Sequence, residues 1–287
     1  MSSSALRFKL ETAHTNSPSV AATMSTSPCK NEQDKLERYV NSFATQSFRD
    51  QADRDYIAAR LACRFELMPQ FLWASHQAVE KYLKAILLYN KIKATRIGHD
   101  LAKAQLLTKK LPFQIDLSPR SQAFIDHLAK CGQFRYIDVP YDVHGYVLID
   151  LDVMIWELRR YCQVLNVFGK DLPLAEQKLL DEATVELAQS SSRPTHRFKL
   201  QNGVLEKILS ERSHPSRAAL LWNNPVYGVR RRSTVRAKDH LHAQNPLLYL
   251  YPEMLDELLK YVFIPGNLVK GYRAHLAEIK ADPSKRP

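Results

Sequence analysis

The sequence predicts a mainly α-helical protein, an antiparallel bundle of four or five helices followed by a mixed, mostly helical extension. Three observations favour this fold class. Apolar residues, 45% of the 287-residue chain, recur at helical spacing over several long stretches. Glycine is scarce, at eight residues, which disfavours a turn-rich sheet protein. Pro69 separates the two strongest amphipathic stretches so closely that they are expected to be antiparallel neighbours.

Helical spacing of apolar residues predicts five helices in the first part of the chain. The strongest has residues such as Val79 and Ile86 along one face, and we expect an ion pair between Glu80 and Lys84 on its solvated side. Asp100 is expected to cap the third helix, because its side chain can accept hydrogen bonds from free backbone amides. The five helices are expected at about 54–67, 69–89, 100–111, 118–132 and 150–169.

The chain is expected to divide into three segments. Residues 1–33 are rich in serine and threonine and poor in charge, which is typical of a disordered tail. Residues 34–168 hold the bundle, and residues 169–287 form an extension that we expect to pack on it. The extension is predicted to hold a helix over 173–189, a short strand around Phe198 and Leu200, and a helix over 251–262.

Charge and composition narrow the function classes. The formal net charge of +11 favours a polyanionic partner, usually nucleic acid. The four cysteines are far apart and form no C-x-x-C pair, so neither a zinc site nor any other metal or cofactor is expected. No apolar run is long enough to span a membrane, and no signal peptide is visible. These features predict a cytoplasmic protein.

Three segments carry a resemblance to a known family. The first is YIAARLACRFELMPQFLWASHQAVEKYLKAILL at 56–88, which resembles the first two core helices of HEPN domains. GHDL at 98–101 and HGYVLIDLDVMIWELRRYC at 144–162 follow in the family's order and resemble its next helix start and the approach to its last core helix. The resemblance implies a helical bundle that pairs as a homodimer. It also implies one of two roles. Many relatives are metal-independent endoribonucleases of toxin, antiphage or RNA-processing systems, and others are binding modules, some of them partners of nucleotidyltransferases.

Active members of the family use an arginine followed, after four to six residues, by a histidine. Arginine can hold phosphate oxygens, and histidine can move protons near neutral pH. Arg120 and His127 have the expected spacing but lie early, on the fourth helix. Arg135 and His144 lie in the expected place, before the last bundle helix, but eight residues separate them. Both pairs therefore remain candidates.

A basic segment in the extension is the second candidate site. Residues 191–240 hold eleven lysines and arginines against three acidic residues. Such a cluster can follow a phosphate backbone, and an aromatic neighbour can stack on a base. The candidate nucleic-acid contacts are Tyr227, Arg230, Arg231, Arg232, Arg236 and Lys238.

Two functions are therefore expected from the sequence. The first is a homodimeric protein that binds or cleaves RNA, in its enzymatic form a metal-independent endoribonuclease of a toxin or antiphage system, with an antitoxin as its partner. The alternative is a catalytically inactive module whose basic extension contacts nucleic acid or an acidic protein. A third possibility, which the resemblance alone implies, is an accessory protein of a nucleotidyltransferase.

Overall fold

The chain folds mainly into α-helices, which confirms the predicted fold class. The computed structural model describes residues 30–131, 140–165, 174–228 and 241–287. The helices up to the first strand are α1 (Lys30–Phe43), α2 (Asp50–Arg64), α3 (Met68–Tyr89), α4 (Leu101–Thr108) and α5 (Pro119–Cys131). After strand β1 (Tyr141–His144) follow α6 (Val147–Arg159), α7 (Leu174–Ser190), α8 (Val204–Ser210) and α9 (Arg217–Leu221). Strand β2 (Leu241–Gln244) precedes α10 (Leu247–Leu250), α11 (Leu255–Leu258) and α12 (Gly266–Ala281).

Helices α2 and α3 form the centre of the bundle, and α5 and α6 pack against α3. The link between α2 and α3 is three residues long, and its Glu66 has a φ of +59°, a left-handed conformation that helps to reverse the chain. Pro69 lies in the first turn of α3, where its missing N–H costs no helical hydrogen bond. The shared core includes Tyr56, Phe71, Tyr82, Ile86, Ile125, Leu128, Leu151 and Ile155.

Two predicted helix starts are confirmed by their caps. The backbone N–H of Lys103 donates to Asp100 Oδ1 at 3.0 Å, at the start of α4. Helix α5 begins at Pro119, and Ser118 Oγ accepts from the backbone N–H of Ser121 at 3.3 Å. In both cases a short polar side chain satisfies a backbone donor that the first helical turn leaves without a partner.

The expectation that Glu80 lies on a solvated face is wrong. Its side chain is buried, with the residue 4% exposed, because the loop before α4 folds back over it. Lys84 Nζ donates to Glu80 Oε1 at 2.5 Å and to the carbonyl oxygen of Gly98 at 2.8 Å, while His99 Nδ1 lies 2.9 Å from Glu80 Oε2. Burial opposes ionisation of this carboxyl, but its two partners hold its pKa below the usual value.

Helix α6 begins and ends earlier than predicted. The sequence places it over 150–169, whereas the helix spans Val147–Arg159 and residues 160–165 form turns and irregular backbone. The apolar periodicity continues past Arg159 because Tyr161, Cys162 and Leu165 are also buried. Burial at helical spacing thus does not require that the helix itself continues.

The predicted strand at Phe198 and Leu200 is also wrong. Both side chains are buried, but the segment has no partner strand among the described residues. The sheet instead joins β1 to β2 in antiparallel register, with Tyr141 opposite Gln244 and His144 opposite Leu241. A pairing between strands about 100 residues apart leaves no local signal in a sequence.

The C-terminal segment forms a small cluster of its own. The helix expected over 251–262 is reduced to a 3₁₀ turn at Pro252–Met254 followed by the single-turn helix α11, and α12 was not expected. Leu248, Leu255, Ile264 and Tyr272 form its core. None of the helices in the described ranges has the length and apolar character that a membrane crossing requires.

The segment with α8 and α9 packs directly on the bundle. Leu205, Leu220 and Tyr227 belong to the same apolar core as α2, α3 and α6. The boundary expected at residue 168 therefore does not separate two cores. At the other end, α1 begins at Lys30, and residues 1–29 of the expected tail lie outside the described residues.

A buried ion network fixes this segment in place. Arg159 on α6 donates through Nε to Asp53 Oδ1 at 2.8 Å and through Nη1 to Glu206 Oε1 at 2.7 Å. It also donates through Nη2 to the second oxygen of each carboxylate, at 2.9 and 2.7 Å. At Gly203 a Cβ would lie 1.9 Å from Glu206 Oε2 and 2.6 Å from Arg159 Nη2, so a larger residue there would have to displace the ion pair. Arg60 pairs through Nη1 with Asp152 Oδ1 and donates through Nε to the carbonyl oxygen of Ala219 at 2.9 Å.

Candidate functional site

The candidate site is a cavity of about 490 Å³ between α5, β1 and the start of α6. Helix α5 contributes Arg120 and His127, seven positions apart and so nearly two turns along one face. Strand β1 ends at His144, and the turn that follows leads into α6. The lining residues are Arg120, Ala123, Phe124, His127, Asp142, Val143, His144, Tyr146, Val147 and Asp150.

Asp150 connects one residue from each candidate pair. Its carboxylate lies in the first turn of α6, and the residue is 5% exposed. Arg120 Nε donates to Asp150 Oδ1, and His144 Nε2 lies 3.1 Å from Asp150 Oδ2. The structure thus brings Arg120 together with His144, although the sequence analysis assigned them to different pairs.

The hydrogen bonds of His144 define its tautomer. The backbone N–H of Tyr146 donates to His144 Nδ1 at 3.2 Å, so Nδ1 carries no proton in this arrangement. The proton of the neutral ring then lies on Nε2, which donates it to Asp150. The side chain is 56% exposed, so solvent and substrate can reach the ring from the cavity.

The surroundings of His127 favour its neutral form. Burial lowers its pKa below the usual value; the Asp142 carboxylate opposes this shift, and His144 adds to it. Its ring is stacked on that of Phe124, with centroids 6.3 Å apart and planes at 17°. At neutral pH His127 is therefore an uncharged imidazole, the form that accepts a proton.

Several sequence-predicted residues lie outside the described ranges. Arg135 falls in the gap at 132–139, so its place relative to His144 is not defined. The basic candidates for nucleic-acid contact fall in the gap at 229–240. They are Arg230, Arg231, Arg232, Arg236 and Lys238. Their assignment to nucleic-acid binding remains a prediction.

Tyr227 lies in the core instead of on a binding surface. The residue is 6% exposed, and its ring centroid lies 6.3 Å from that of Tyr56 on α2. Burial also raises the pKa of its hydroxyl well above the usual value. A base could stack on this ring only if the core opened, so Tyr227 does not serve the stacking role suggested by its position beside the arginines.

Sequence reasoning missed Asp150 and Asp142. Asp150 was treated as the start of the last bundle helix, and Asp142 as part of a polar loop. The only signal in the sequence was that each carboxylate lies within six positions of His144. Such spacing is too common to identify a site. Across the described ranges, no three histidine, cysteine or acidic side chains are grouped so as to hold a metal ion.

The comparison with protein families agrees with this architecture. Residues 45–136 match the model of the HEPN domain family. The matched residues include helices α2 to α5. His144 and Asp150 lie just beyond the matched residues. No curated protein and no solved structure gave a significant match to the chain. The resemblance to HEPN domains seen in the sequence is confirmed over residues 45–136.

Proposed function

We propose that this HEPN-domain protein cleaves RNA without a metal ion, in the cavity between α5, β1 and α6. The observation that carries the proposal is the convergence of Arg120, His127 and His144 on one cavity. An arginine and two histidines supply the groups that cleavage by the RNA's own 2′-hydroxyl needs. The net charge of +11 supports a polyanionic substrate.

The proposed roles follow from the state of each side chain. Neutral His127 accepts the proton of the 2′-hydroxyl as its oxygen attacks phosphorus. Arg120 donates to the non-bridging oxygens and stabilises the phosphorane. Protonated His144 gives its proton to the departing 5′-oxygen, which leaves a 2′,3′-cyclic phosphate. Protonated His144 cannot accept from the Tyr146 amide, so this contact opens in the active form.

Alanine substitution at either histidine tests the proposal. We expect His127→Ala and His144→Ala each to lower the cleavage rate at least about a hundredfold in EDTA, the usual loss when a general acid or base is removed. His196→Ala, which changes a histidine outside the cavity, should retain the wild-type rate. Rates are measured on labelled single-stranded RNA with protein whose fold is verified by circular dichroism. Full cleavage by both cavity variants contradicts the assignment.

The pH dependence tests the assignment of His127 as the base. A base works deprotonated, so the rate rises with pH through its pKa. Because burial lowers that pKa, the acidic limb of kcat/KM should have its midpoint below about 6.5, the value for an unperturbed histidine. A midpoint above that value would identify another group as the base. Tyr146→Phe, which leaves both histidines in place, should keep the midpoint of the acidic limb.

A binding role without cleavage is the second candidate, and the acidic side chains favour it. Asp142 and Asp150 line the same cavity as Arg120, so the cavity has a formal charge of −1 when both histidines are neutral. A folded protein that shifts labelled RNA in a salt-dependent way but does not cleave it would support this role. The basic residues at 230–238 and a homodimer are then the proposed means of binding.

A further inference from the structure

We propose that the Asp150 carboxylate stands in for the substrate phosphate as the partner of Arg120 and His144, and that an incoming phosphodiester takes both donors from it. This inference rests on the proposed function of the cavity, and it defines which groups bind the phosphate. It also makes Asp150 an internal competitor of the substrate.

The two carboxylate oxygens of Asp150 divide the contacts between them. Arg120 contacts Oδ1 and His144 contacts Oδ2, so each oxygen serves one cavity group. A phosphodiester likewise presents two equivalent anionic oxygens on one atom. Two donors arranged in this way around a carboxylate can instead donate to two oxygens of one phosphate.

The negative charge of Asp150 also excludes a phosphate from its two partners. With Asp150 in place, the positive charge of Arg120 is already neutralised within the cavity. A phosphate that entered beside Asp150 would meet that carboxylate and also Asp142 at short range. Phosphate and the Asp150 carboxylate therefore exclude each other from Arg120 and His144.

Both partners of Asp150 are exposed enough to leave it. The side chains of Arg120 and His144 are 48% and 56% exposed, while that of Asp150 is 7% exposed. The two donors are therefore free to turn toward a ligand in the cavity. Asp150 stays in the first turn of α6, where the helix dipole stabilises a negative charge after its partners have moved.

Asp142 provides a matched control for the charge effect. It is a carboxylate that lines the same cavity, but it is exposed on β1. Asp142→Asn removes the same unit of negative charge as Asp150→Asn and leaves the contacts of Arg120 and His144 with Asp150 in place. A difference in oligonucleotide affinity between the two variants therefore measures the displacement of Asp150 from its partners and not the change in net charge.

The test is the affinity of the full chain for a labelled 2′-deoxy oligonucleotide, which has no 2′-hydroxyl and cannot be cleaved by the proposed reaction. We expect Asp150→Asn to bind about tenfold more tightly than the wild type, and Asp142→Asn to gain at most about threefold. The gain should disappear in Arg120→Ala/Asp150→Asn relative to Arg120→Ala, because the two residues act as one unit. Equal affinity of wild type and Asp150→Asn, or an equal gain in Asp142→Asn, overturns the proposal.

A measurement on the wild type covers the case in which Asp150→Asn does not fold. The ring ¹⁵N resonances of His144 report its hydrogen bond to Asp150, and they should move when the 2′-deoxy oligonucleotide is added. Resonances that stay in place at saturation overturn the proposal. Tighter binding by Asp150→Asn in a protein that never cleaves RNA would refute the cleavage function but support the phosphate position.

Discussion

A chain that ends at residue 168 is expected not to fold cooperatively, whereas a chain that ends at residue 228 should retain the helical bundle. The shorter chain contains every helix of the bundle up to α6 but lacks α8 and α9. The large apolar side chains that it loses from the core are Leu205, Ile208, Leu220, Val226 and Tyr227. Each contributes about 1.5–3 kcal/mol when buried, so their sum is comparable to the whole stability of an ordinary domain.

The shorter chain also loses stability because two buried arginines lose hydrogen-bond partners. Arg159 would lose Glu206, and Arg60 would lose the backbone carbonyl of Ala219, while both side chains remain inside the bundle. A buried charge that loses a partner is strongly destabilising. Thermal unfolding followed by circular dichroism distinguishes the two chains. A sharp transition in the chain of residues 30–168 would show that the bundle is independent of the extension.

Asp53→Asn is expected to lower the free energy of unfolding by about 3 kcal/mol, the lower end of the range for breaking a buried ion pair because Glu206 still faces Arg159. Asp53 is 0% exposed and accepts from Arg159 and from the hydroxyl of Tyr82 at 2.6 Å. The amide keeps the size of the side chain but removes its charge. It also turns one acceptor into a donor that faces the guanidinium.

The matched control is Asp181→Asn on α7. This exposed carboxylate accepts from Gln177 Nε2 at 2.8 Å within its own helix, so the same chemical change should cost less than about 0.5 kcal/mol. Both values come from urea unfolding at pH 7. Equal losses in the two variants would show that the Asp53–Arg159 pair contributes no more than a surface contact.

The sequence predicted the elements that depend on local signals. Asp100 and Pro119 mark helix starts through short-range hydrogen bonding and fixed backbone geometry, and both starts are confirmed. The family resemblance around residues 77–101 is confirmed by the HEPN match at 45–136. The end of α6 could not be predicted, because Cys162 and Leu165 continue the apolar pattern after the helix has ended.

The sequence by itself determined the helical fold class, the HEPN resemblance and the residue types that a phosphate site would use. Only the tertiary structure decided that Arg120 and His144 face one carboxylate, and that Tyr227 is buried beside Tyr56. The physical reason is that helical spacing acts only within one element. It fixes which residues share a helix face, but the meeting of α5, β1 and α6 at one cavity and of Tyr227 with Tyr56 depends on packing between separate elements.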